Sequence, residues 1–136
     1  MVKQIWLNLP VKNVEKSKAF FSEIGFAFNS QHDTPSSACM LMGESNFVIM
    51  LFEEGMFEGF VQNSLTDTQS SSEILISIDA QSKEEVDEFA VKVREAGGNL
   101  FAEPAENQGW MYGCGFGDLD GHRWNVLYMD LSKLQK

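Results

Sequence analysis

Apolar residues near the start of the chain alternate with other types: Ile5, Leu7 and Leu9 are separated by single residues as far as Pro10, which predicts a short strand over 5–9. The period then changes. Asn13 stands where a helix N-cap accepts backbone N–H groups, and Val14, Phe20, Phe21 and Ile24 fall on one side of a predicted helix over 14–24. Gly25 supplies the left-handed residue that ends such helices. Strands are predicted over 27–29, 38–42 and 47–52, the last two joined by the tight turn Gly43-Glu44-Ser45-Asn46.

A polar break over 66–72 precedes the same order again. Ile74, Ile76 and Ile78 mark a strand, Ser82 with Glu85 forms a capping box, and Val86, Phe89, Ala90 and Val93 recur at helical spacing until Gly97-Gly98. Strands over 100–102, 111–116 and 123–129 follow, with Asp120-Gly121 as the turn between the last two. Cys39 is as far from Met50 as Cys114 is from Asn125, and Trp6 and Glu73 hold matching places at the head of each half's first strand. The expectation is a single α+β domain over 1–136 made of two βαβββ modules, about 1–66 and 72–132.

Successive strand residues point to opposite faces of a sheet. One face collects Ile5, Leu7, Leu9, Phe47, Ile49, Leu51, Ile74, Ile76, Ile78, Trp124, Val126 and Tyr128, enough apolar surface to cover two amphipathic helices. The other is mixed, with Trp6, Asn8, Val48, Met50, Phe52, Glu73, Leu75, Ser77, Arg123, Asn125, Leu127 and Met129. Such a mixture suits a partly apolar pocket with a few orienting polar groups, or else a solvated face or one covered by a dimer partner. The connection over 53–72 is long and carries Met56, Phe57, Phe60, Val61 and Leu65. Leaving such side chains in water forfeits about 1.5–3 kcal/mol each, so this connection is expected to close over the pocket as a lid or to meet a partner subunit.

Composition narrows the function classes. Ten Lys and Arg against twenty Asp and Glu give a formal charge of −10, a field that repels phosphate backbones and anionic lipid, so neither nucleic acid nor membrane is an expected partner. Two cysteines are too few for a disulfide scaffold, and Cys39 and Cys114 read as buried spectator thiols. The first residues lack the order of a signal peptide, and the apolar runs stop short of the roughly 20 residues of a spanning helix, so a soluble, cytoplasmic protein is expected.

The stretch from Ile5 to Ser17, with Phe20-Phe21 and Gly25-Phe26 after it, resembles the opening of glyoxalase, bleomycin-resistance and extradiol-dioxygenase proteins, the vicinal oxygen chelate superfamily. Phe116-Gly117-Asp118-Leu119-Asp120-Gly121-His122-Arg123-Trp124 resembles the hairpin that closes their second module. The resemblance implies paired modules forming a curved mixed sheet around a cavity, helices on the outer face, and commonly a homodimer. It also implies that Trp110 and Tyr112, on one strand face, form an aromatic pair near the cavity mouth. Ordinary packing is the alternative for that pair.

Metalloenzymes of the superfamily take ligands from the first and last strands of each module, positions that the resemblance places on Trp6, Met50, Glu73 and Asn125. Indole offers no lone pair, thioether is too soft for ions held by His and carboxylate, and Asn125 is a weak donor. No metal and no cofactor are therefore expected, because an open catalytic site keeps about three protein ligands. His32 reads as a solvated loop residue and His122 as a structural part of the closing turn. Glu73 is either a general base with a pKa raised by partial burial or an exposed residue at a strand start. The leading reading is a metal-free protein that binds or sequesters a small organic ligand through Trp6, Asn8, Met50, Phe52, Trp110, Tyr112 and Asn125. One alternative is a glyoxalase-like lyase, isomerase or other superfamily enzyme using Glu73 as base or ligand. Another is an interaction protein with a filled cavity.

Overall fold

In the computed structural model, which describes residues 1–133 and leaves the side chain of His32 outside the description, each half of the chain is organised by a parallel pairing of its first and last strands. The halves separate as two units, Met1–Leu65 and the residues from Thr66 onward. The first contains β1 (Leu7–Val11), α1 (Val14–Glu23), β2 (Ala27–Phe28), β3 (Ser37–Met42), β4 (Phe47–Glu53) and α2 (Glu54–Val61), its sheet ordered β1-β4-β3-β2. The second contains β5 (Leu75–Asp79), α3 (Lys83–Ala96), β6 (Asn99–Asn107), β7 (Met111–Gly117) and β8 (Arg123–Met129), ordered β5-β8-β7-β6. Both sheets are mixed and open, and the class is α+β. The repeat read from the sequence is present as repeated topology.

Local chemistry explains where the helices begin and end. Asn13 accepts from the backbone N–H of Lys16 at 2.9 Å to start α1, and Gly25, at φ +107°, turns the chain away after it. Ser82 accepts from Glu85 N–H at 3.1 Å to start α3. The Glu85 carboxylate reaches back to Gln81 N–H at 2.8 Å, one residue beyond the reciprocal bond of a standard capping box. Gly97, at φ +96°, ends α3.

Each helix lies on one face of its own sheet. In the first unit Val14, Phe20 and Phe21 of α1 are buried, as are Leu9, Val11, Met40, Ile49 and Leu51 of the strands. In the second, Val86, Ala90 and Val93 of α3 are buried, as are Cys114, Phe116, Trp124 and Val126, and the rings of Phe116 and Trp124 stack at 5.9 Å.

Several expectations need correcting. β1 runs through Pro10 to Val11 instead of stopping at Leu9, because β1 is an edge strand where a missing N–H leaves no ladder bond broken. Ile5 and Ile74 precede their strands and are exposed rather than part of the apolar face. β6 is nine residues long, not three; its pairing with β7 shifts register twice, which hides it from a period-two reading. The connection after β4 is not structureless: it opens with α2, started by Glu53, whose carboxylate accepts from Gly55 N–H, and stopped by Gln62 at φ +57°. Finally, the equal cysteine spacings mark different registers. Cys39 lies opposite Met50, but Cys114 lies opposite Val126, and it is Gly115 that faces Asn125.

Candidate functional site

On the first sheet, the register sets Asn8 beside Met50 and Pro10 beside Phe52, so Asn8, Met50 and Phe52 share the face opposite α1. Trp6 lies one residue before β1, with 55% of its surface exposed. Trp6 and Met50, with Gln4, Ile5, Phe47 and Val48, line a cleft of about 420 Å³. At the far end of this face the ring of Phe60 from α2 meets that of Phe52 edge-on at 5.0 Å. Of the apolar residues of the long connection, Phe60 reaches the mixed face from α2, while Met56, Phe60 and Val61 remain exposed, so no closed lid is formed. Cys39 sits opposite Met50, and burial with the nearby charge of Asp33 raises its thiol pKa. A second cleft in this unit, about 600 Å³, is walled by charged groups including Lys12, Lys18, Asp33 and Glu53, of which Lys18 and Asp33 pair with each other.

On the second sheet, Asn125 lies beside Ser77 and Gly115, on the face opposite α3. Glu73 is not with them as a strand residue: it precedes β5 by two positions and is exposed, the second of the two readings the sequence offers for it. Tyr112 lies on the other face. Its hydroxyl donates to Asp87 of α3 at 2.7 Å, a bond that holds the phenol proton and raises its pKa, and Lys83 of α3 lies over its ring. Trp110 stands in the turn before β7, beside Lys83, Glu106 and Tyr128. The pair expected at a cavity mouth is therefore on the side of α3, away from Asn125.

The closing hairpin carries a residue that periodicity did not single out. Asp118 is 6% exposed, and one carboxylate oxygen accepts from the N–H groups of Asp120 and His122 at 3.0 Å each. The other accepts from the indole N–H of Trp124 at 3.1 Å. Burial pushes its pKa up, partly offset by His122 and by the bond from Trp124. His122 is buried in this turn, in keeping with a structural role. Burial also lifts the Cys114 thiol to about 11, so very little is thiolate near neutral pH.

Whether the chain could hold the metal found in some proteins of this fold depends on donors. Trp6, Met50 and Asn125 offer none that is strong, and among the described residues no three His, Cys, Asp or Glu side chains gather as a metal site. The residues do not fit such an ion. Among the described residues no helix is long and apolar enough to cross a membrane.

Residues 3–43 match the family model described as bleomycin resistance protein-like N-terminal. The hypothetical protein SA1046 from S. aureus is 36% identical, with 94% of this chain and 95% of that one covered and a TM-score of 0.85. A glyoxalase/bleomycin resistance protein/dioxygenase family enzyme from Burkholderia phytofirmans PsJN is 20% identical, covering 91% and 96%, with a TM-score of 0.79. The fosfomycin resistance protein FosX from Listeria monocytogenes, solved with Mn(II) and sulfate, is 21% identical, covering 97% and 94%, with a TM-score of 0.70. No curated protein matches.

Proposed function

We propose that this chain, which belongs to the glyoxalase/bleomycin resistance/dioxygenase (vicinal oxygen chelate) superfamily, binds a small organic molecule without the help of a metal ion. The observation that carries the reading is the cleft lined by Trp6 and Met50. An exposed indole beside a thioether, with Asn8 and Phe52 on the same sheet face, offers a flat apolar wall and one amide to orient a guest. Sulfur and indole favour a planar or apolar body over a hydrated ion. Fold alone does not select this activity; the residues at the site do.

The test uses N-phenyl-1-naphthylamine, a neutral aromatic probe. Tryptophan emission is expected to fall saturably as the probe is added. Trp6→Phe removes most of the quenchable signal, whereas Trp110→Phe, altered in the turn beside Lys83, keeps it. Absence of saturable quenching, or full quenching retained in Trp6→Phe, overturns the reading.

A further inference from the structure

The chain has two arginines, and the structure uses them differently. Arg94 pairs with the carboxylate of Glu103. The guanidinium of Arg123 instead lies 4.1 Å from the ring centre of Phe101, and among the described residues no carboxylate forms an ion pair with it, although the chain carries twenty Asp and Glu. Its support is built in. The Phe101 ring lies over Gly115 so closely that a Cβ added there would come within 2.6 Å of it. Gly115 therefore makes room for Phe101, and Phe101 carries Arg123.

The surroundings of Arg123 also have the form of a subsite. It pairs in register with Gly117 on one side and Leu75 on the other; glycine raises no side chain against it, and Leu75 is 54% exposed. Asn125 and Ser77 follow on the same sheet face. A fixed planar cation, an amide, a hydroxyl and an exposed aliphatic side chain together match an anionic group joined to an apolar body. We infer that Arg123, seated on Phe101, anchors the carboxylate or phosphoryl group of a small organic anion on the open face of the second sheet. The net charge of −10 opposes anion approach, but at physiological salt this repulsion is screened beyond about 8 Å, whereas contact with a guanidinium is not.

The inference goes beyond the small-molecule reading above and concerns the second unit alone. Its test reads a different residue, so the two can fail separately. In ¹H–¹⁵N spectra the Nε–Hε signal of Arg123, assigned by its loss in Arg123→Gln, is followed during titration with sodium benzoate, inorganic phosphate or sodium chloride at matched ionic strength. Benzoate or phosphate is expected to shift it saturably and chloride to leave it unmoved; benzoate alone would mark a carboxylate ligand, phosphate alone a phosphoryl one. Arg123→Gln should weaken the binding, followed on neighbouring amides, by roughly tenfold or more, the loss of a charge-assisted pair. Phe101→Leu, which keeps the cation and removes its seat, should weaken it severalfold. No saturable shift with either anion, or equal shifts with chloride, overturns the inference even where the naphthylamine probe binds.

Discussion

Asp118→Ala is expected to destabilise the fold by about 3–5 kcal/mol, because it removes the acceptor for three N–H donors and leaves them buried. Two belong to the turn backbone and one to Trp124, whose ring stacks on Phe116 in the core of the second unit. Deleting one small side chain thus loosens both the turn and the wall behind it. At the scale of this chain the loss should lower the thermal midpoint by about 10–15 °C. Asp118→Asn keeps an acceptor for the backbone groups but can turn its own N–H toward the indole N–H, and should cost about half as much. The sign of the pH effect also follows. Burial keeps the folded-state carboxyl protonated to higher pH than in the unfolded chain, so its contribution is fully present below the ordinary aspartate range and is lost as pH rises through its raised value. Urea midpoints measured across that window should show this component in the wild type and not in Asp118→Asn. A loss below about 1 kcal/mol in Asp118→Ala would mean the three bonds are not what closes the hairpin.

Gly121→Ala should be the second most damaging change. Gly121 has φ +86°, and a Cβ there would lie 2.6 Å from the carbonyl oxygen of Thr68. The Thr68 hydroxyl donates to the carbonyl of Asp120, so the polar segment between the repeats is bound to this turn and cannot simply retreat. Left-handed strain costs about 1–2 kcal/mol, and the backbone collision should bring the total to about 3 kcal/mol. Gly43→Ala separates the two effects: Gly43 is also left-handed, at φ +72°, but nothing lies within 4 Å of the added carbon. It should lose only the strain, about 1 kcal/mol. Equal losses in the two variants, measured by urea unfolding, would show that Thr68 does not press on the turn.

The repeat was legible because periodicity and caps agree: Asn13 and Ser82 start helices at matching points, and each half then offers three strands. What was hidden has identifiable causes. Gly55 and Gly59 made α2 look like a loop, although Phe52, Met56 and Phe60 stand four apart. The placement of Tyr112 was readable from its own strand: Gly113, Gly115 and Gly117 alternate with Tyr112, Cys114 and Phe116, and the latter set is the one beneath α3. Asn8, Met50 and Phe52 fall on one face by parity because β1 and β4 pair regularly, whereas Trp6 and Glu73 precede the true starts of β1 and β5, where alternation no longer fixes a face. Phe101 beneath Arg123 could not be counted out, since the register shifts in β6 break the two-residue repeat on which such counting depends.

Under the proposed function the chain takes up a guest molecule and no metal ion. Thermal unfolding of protein purified without chelator, with Ni, Zn, Mn or Fe added in one series and N-phenyl-1-naphthylamine in the other, tests it most directly. A ligand at a hundred times its dissociation constant stabilises by about 2.7 kcal/mol, a shift of several degrees. The account predicts that shift with the naphthylamine and none with the four ions. A rise of several degrees with one of the ions, reversed by EDTA, with no response to the naphthylamine, would contradict it.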